Sequence, residues 1–172
     1  MSTTIRPSIA DVRARGASRA RRWSRSLLRA AAVIYSLFAI GHTLGAMVND
    51  THRGPRQAAL FTAMRSYRFD VQGATRSYWD FYRGFGFMVS VLLAMTAALC
   101  WVSADVGRAD PRAAGRVTLV LVLAMSFTTW FSFVDFFAGP AVFSTVGLLT
   151  LAAAWIALRR EAARESNGGM RQ

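Results

Sequence analysis

Three side chains in this chain could take or give a proton from within, or at the edge of, an apolar stretch: His42, Asp80 and Asp135. An imidazole has an ordinary pKa of about 6.5, so it can act as acid or base near neutrality. A carboxyl group in a run such as Phe133-Val134-Asp135-Phe136-Phe137 must find a partner, reach water or take up a proton. Spacing adds company to each of the three. Tyr35, His42 and Asn49 recur every seven residues and share one helical face. Thr128, Ser132 and Asp135 follow i, i+4, i+7, again one face. Arg76 with Asp80, Tyr78 with Tyr82, and Trp79 with Arg83 are each i, i+4. Phe85, Trp130, Phe133 and Phe137 are aromatic faces that suit a hydrophobic molecule or a cationic intermediate. Such a set fits proton-transfer chemistry on an apolar substrate, for example isomerisation or cyclisation, with His42, Asp80 and Asp135 as acid or base. Tyr35, Asn49, Tyr78, Trp79, Arg83, Phe85, Trp130 and Ser132 would then line the ligand.

Other chemistries are closed. All 21 basic residues are Arg, so chemistry on a Lys amine is excluded. Cys100 is the single cysteine, which excludes an intrachain disulfide, a CxxC pair and a cysteine zinc cluster. Beyond His42 the chain has only His52, so no spacing suits bis-histidine haem. A zinc ion held by His42 and two Asp is conceivable but unfavoured, and no cofactor is expected.

The elements that must position these residues are membrane helices. Of the 172 residues, 53% are hydrophobic and only 17% charged, where soluble domains carry about 25% charged residues. Four apolar runs are long enough to cross a hydrocarbon core of about 30 Å at 1.5 Å per residue. They cover residues 27–48, 79–102, 117–137 and 141–158. In lipid each must be helical, because its backbone groups have only their own helix to bond. A soluble helical bundle is the bland alternative, and it fails because its helices would keep a polar face. The fold class is therefore all-α: a polytopic four-transmembrane-helix bundle.

Arg placement gives the orientation. Residues 1–29 hold eight Arg against Asp11, residues 103–116 hold Arg108, Arg112 and Arg116, and the 159–172 tail holds four more. The 49–78 loop holds five, and the Ala138-Gly139-Pro140 joint has none. The positive-inside rule then places both termini in the cytoplasm, with 1–26 as a basic arm. Arg21-Arg22 before an apolar run resembles a twin-arginine export signal, but that run is too long for a signal peptide. Nucleic acid is not expected as a partner, since Arg residues beside a span bind anionic headgroups. The 49–78 loop should form a short amphipathic helix from Pro55 to Phe69, with Asp70-Val71-Gln72-Gly73 breaking it.

Topology converges the polar residues. The first span ends, the second begins, the third ends and the fourth begins on the outer side, while the inner half is Leu, Val, Ala and Met. An outer-leaflet polar and aromatic pocket is expected. The structural reading beside it makes His42 a hydrogen-bond partner, Asp80 a helix-start residue and Tyr78, Trp79 and Tyr82 an aromatic belt. Gly41-x-x-x-Gly45 and Gly86-x-x-x-Ser90 offer close-packing faces for a homodimer or a partner helix, which suits a non-enzymatic accessory subunit. Partners expected on these grounds are membrane lipids and a hydrophobic small molecule.

The strings Gly41-His42-Thr43-Leu44-Gly45, Met64-Arg65-Ser66-Tyr67-Arg68-Phe69 and Arg76-Ser77-Tyr78-Trp79-Asp80-Phe81-Tyr82-Arg83-Gly84-Phe85-Gly86 resemble those of a family of uncharacterised bacterial four-pass integral membrane proteins. The resemblance covers residues 30–158. It implies the fold and a bacterial inner-membrane location, and no activity. Helix count and intramembrane acid and aromatic residues give a looser likeness to emopamil-binding-protein-like and DoxX-like folds, with no matched motif.

Overall fold

The structure is a computed structural model that describes residues 9–48 and 54–169, with side chains over 22–48 and 54–167. Asn49 and His52 lie outside the described residues. The chain runs α1 (Ile9–His42), a π-helical segment (Thr43–Val48), α2 (Pro55–Ser66), β1 (Arg68–Val71), β2 (Ala74–Ser77), α3 (Tyr78–Val106), α4 (Pro111–Val134) and α5 (Ala138–Gly169). Four helices are long and apolar enough to cross a membrane, over Arg22–Val48, Tyr78–Val106, Pro111–Val134 and Ala138–Asn167.

The fold divides into two compact units. The first comprises Met1–Tyr35 and Thr96–Gln172 and so holds part or all of each of the four apolar helices. Its buried positions repeat at three- and four-residue steps, as a helix bundle requires. In α5 these are Ser144, Leu151, Ala154 and Leu158, and in α4 they are Pro111, Ala114, Thr118, Leu121 and Met125. α1 contributes Ser24, Leu28, Ala31 and Tyr35, and α3 contributes Cys100 and Ala104. Among the residues whose side chains are described, the packed part of α1 includes Ser24, inside the stretch read as a basic arm.

Small and hydroxylated residues are buried beside a few Leu, Met and Tyr, while many large apolar side chains are exposed. Val33, Leu37, Val120, Leu123, Phe127 and Leu149 all face outward. In water such a surface would associate, whereas in lipid it is the expected exterior. Small residues let helices close up: Gly115 lies near Leu158, and Gly147 receives the ring of Tyr35. Three buried hydroxyls of α4 bond within their own helix. Thr118 donates to the Ala114 carbonyl at 2.8 Å, Thr129 to Met125 at 2.8 Å and Ser132 to Thr128 at 2.8 Å.

The second unit, Ser36–Met95, holds the end of α1, the π-helical segment, α2, the strands and the first part of α3. α2 starts at Gly54 (φ +101°) with Pro55 in its first turn, and it buries no residue. It stops at Ser66, short of the predicted Phe69, because the chain turns into a β-hairpin. β1 and β2 pair antiparallel with Phe69 opposite Arg76, Asp70 opposite Thr75 and Val71 opposite Ala74. The residues expected merely to break the helix make this hairpin. Gln72 (φ 49°) and Gly73 (φ 82°) form its two-residue turn, and two positive φ angles are what a type I′ turn needs. Thr75 also donates across the strands to Asp70 Oδ1 at 2.7 Å.

Candidate functional site

His42 is the last residue of α1, and the helix widens to π geometry directly after it. π-helical turns leave the ordinary i→i−4 ladder and occur often at functional positions. Across from it on α3 stands Ser90, buried, with its Oγ 3.0 Å from His42 Nδ1. Thr43 Oγ1 is 2.8 Å from the same Ser90 Oγ and 2.7 Å from the Ala39 carbonyl.

Proton counting orders this cluster. Thr43 shares its single hydroxyl proton between the Ala39 carbonyl and Ser90 Oγ, and Ser90 donates its own to the Gly86 carbonyl at 3.4 Å. Ser90, its proton spent, accepts from His42 Nδ1. Protonated Nδ1 leaves Nε2 of the neutral ring as a lone pair, and no described residue partners it. Met47, in the π-helical segment, lies against Gly86, one helical turn before Ser90 on α3; a Cβ there would collide with its sulfur. His42 and Thr43 are half-buried, so the ring stays reachable.

At the N-terminus of α3 the sequence-predicted Asp80 closes a capping box. Its Oδ2 accepts from the Ser77 backbone N–H at 2.8 Å and lies 2.9 Å from Ser77 Oγ, while Ser77 Oγ accepts from the Asp80 N–H at 3.2 Å. This turn positions the aromatic residues. Tyr78 stacks on Tyr67 with ring centres 5.8 Å apart and tilts against Phe69 at 4.9 Å. Trp79 meets Phe61 at 5.2 Å and Tyr82 at 5.4 Å, and Arg65 lies over its ring at 4.2 Å. Phe85 continues the row from Phe81 at 6.2 Å, and the Arg83 guanidinium covers Phe87 at 5.5 Å. Arg83 and Phe85 are exposed.

The remaining predicted site residues belong to the first unit. Tyr35 is fully buried and packs on Gly147, and its hydroxyl has no hydrogen-bond partner among the described residues. Ser132 is buried, with its hydroxyl bonded within α4. Asp135 caps the C-terminus of α4, its N–H donating to the Phe131 carbonyl at 2.9 Å, and its side chain is exposed, as is Trp130. The structure therefore joins His42 to Ser90 and Thr43, and Asp80 to Ser77. In the sequence Ser90 reads only as a packing residue, and Thr43 only as part of the Gly41-His42-Thr43-Leu44-Gly45 string. Their signal was a hydroxyl next to the lone intramembrane histidine and another on a Gly-x-x-x-Ser face.

Comparison with protein-family models, curated proteins and solved structures finds no match to this chain. The four membrane-compatible helices agree with the four-pass architecture that the sequence resemblance implied, and no family is assigned beyond it.

Proposed function

We propose that this integral membrane protein binds a hydrophobic small molecule or lipid beside His42 and moves a proton on it through Nε2. The observation that carries the reading is the donor chain from His42 through Ser90 to the Gly86 carbonyl. It holds one tautomer and leaves the other nitrogen unoccupied, as a general base requires. The exposed apolar helix faces supply an apolar environment. Isomerisation adds a proton at one carbon and removes one from another, so it needs no cofactor or co-reactant. The bacterial inner membrane is the proposed location, with the His42 end on the outer side.

The test is mass spectrometry of molecules retained by the full chain in mild detergent. A hydrophobic molecule enriched over the bulk membrane extract in the wild type should be depleted in His42→Ala and Ser90→Ala. An identical profile in all three proteins would overturn the reading.

One observation favours a second reading as an accessory subunit. Gly41 and Gly45 have no atom within 4 Å of where a Cβ would stand, so this small-residue face is open to another helix. Crosslinking in native membranes should then capture a partner or second copy that Gly41→Leu loses. Recovery of monomer alone would count against it.

A further inference from the structure

The β-hairpin between α2 and α3 has two unlike faces. Directly opposite residues of an antiparallel pair point to the same side, and neighbours along a strand alternate. The register pairs Phe69 with Arg76, Asp70 with Thr75 and Val71 with Ala74. Phe69, Val71, Ala74 and Arg76 therefore share one face, and Arg68, Asp70 and Thr75 share the other. The first face is apolar apart from Arg76, whose guanidinium turns back to donate to the Thr75 carbonyl at 2.9 Å. The second is polar, and Thr75 donates across it to Asp70 at 2.7 Å.

Ring contacts fix where the apolar face points. The Phe69 ring centre lies 4.9 Å from that of Tyr78 and 6.0 Å from that of Phe81. Tyr78 is the first residue of α3, and Phe81 stands about 4.5 Å further along the axis. The apolar face of the hairpin thus looks along α3 into its span. On α3, Tyr78, Phe81, Phe85, Met88 and Leu92 follow at i, i+3, i+7, i+10 and i+14, which is one face of the helix, and all are exposed. In a helix that crosses a membrane, an exposed apolar stripe is the face that meets lipid. The hairpin continues this stripe, for Tyr67 stacks on Tyr78 at 5.8 Å, and both Tyr67 and Val71 are exposed.

Helix length sets the depth. The 29 residues of α3 extend about 43 Å at 1.5 Å each, close to the thickness of a hydrocarbon core plus its headgroup layers. Tyr78 therefore stands at headgroup depth, where amphipathic rings gather.

We infer that the hairpin is a lipid-binding surface. It lies in the headgroup layer beside α3, with Phe69, Val71 and Ala74 against the acyl chains and Arg68, Asp70 and Thr75 in water. Its partner is the bilayer surface itself, and the inference does not draw on the His42 site.

Nitroxide labels on single cysteines test it in the full chain, in vesicles of phosphatidylethanolamine and phosphatidylglycerol. Cys100→Ala removes the natural thiol from every variant. Oxygen concentrates among acyl chains and a nickel chelate stays in water, so the ratio of their collision rates with the label reads its depth. A label at Val71→Cys should favour oxygen and one at Thr75→Cys should favour nickel, a reversal between residues on opposite faces of the same ribbon. Ala74→Cys, across from Val71 on the same face, should repeat the oxygen preference and guards against distortion by either label alone. Leu92→Cys should favour oxygen in any inserted chain, and a nickel preference there would overturn the lipid-facing stripe and the inference with it. Nickel preference at both Val71 and Ala74 would place the hairpin in water and overturn it. Shielding of both positions from both agents would assign the face to a protein partner instead. Oxygen preference at Thr75 as well would remove the polar face and also overturn the inference.

Discussion

The hydroxyl of Ser90 decides what His42 can do. A half-buried imidazole next to lipid is costly unless its donor is satisfied, and Ser90 accepts from Nδ1 while its own proton goes to the Gly86 carbonyl. Ser90→Ala therefore removes the group that holds the tautomer. In nitrogen NMR of the wild type, the His42 signals should report a proton on Nδ1, and in Ser90→Ala the two tautomers should mix. A wild-type proton on Nε2 would refute the assigned order of the chain. Tyr35 gives the opposite case. Its hydroxyl is buried without a hydrogen-bond partner among the described residues, so Tyr35→Phe should leave thermal stability within about 0.5 kcal/mol or raise it. Gly147→Ala should lower stability by about 1–3 kcal/mol, because the added carbon would stand 2.7 Å from Cζ of the Tyr35 ring. Thermal unfolding in detergent reads both variants.

Among the elements, the hairpin between α2 and α3 is the one that hydropathy did not announce. Its strands are four residues each, and five of those eight residues are polar or charged, so a scan for apolar runs passes over them. Turn chemistry carried the signal instead: Gln72-Gly73 lies between short runs of β-forming residues, and Gly tolerates the positive φ that a two-residue turn demands. A β-branched residue at Gly73 would be forced into that region at a cost of about 1–2 kcal/mol. Gly73→Val should therefore open the hairpin and expose Arg68 and Arg76 to limited trypsin cleavage, with α3 still inserted. Unaltered cleavage would mean that the hairpin does not depend on its turn. The start of α3 is more local. Ser77 and Asp80 are three residues apart and cap each other, and Ser77→Ala should cost about 1 kcal/mol.

At the scale of the whole molecule, many large apolar side chains face outward while hydroxyls and small residues fill much of the buried interior, which is the pattern of a protein whose solvent is lipid. Reporter fusions after Asn49 and after Asp110 give the orientation. With both termini in the cytoplasm, the Asn49 fusion should be active only outside and the Asp110 fusion only inside, and the reverse pattern would invert the assignment. The four crossings, the proline-led start of α2 and the isolation of His42 in an apolar run were all readable from the sequence, because each depends on residues close together in the chain. The partners of His42 were not. Ser90 is 48 residues away, and it meets the ring only because α1 and α3 settle at one particular register, with α1 widening to π geometry just past His42. Apolarity is a property of each residue and survives any rearrangement of the chain. Which hydroxyl stands 3.0 Å from an imidazole depends on how two helices rotate and slide against each other, and that was decided only by tertiary packing.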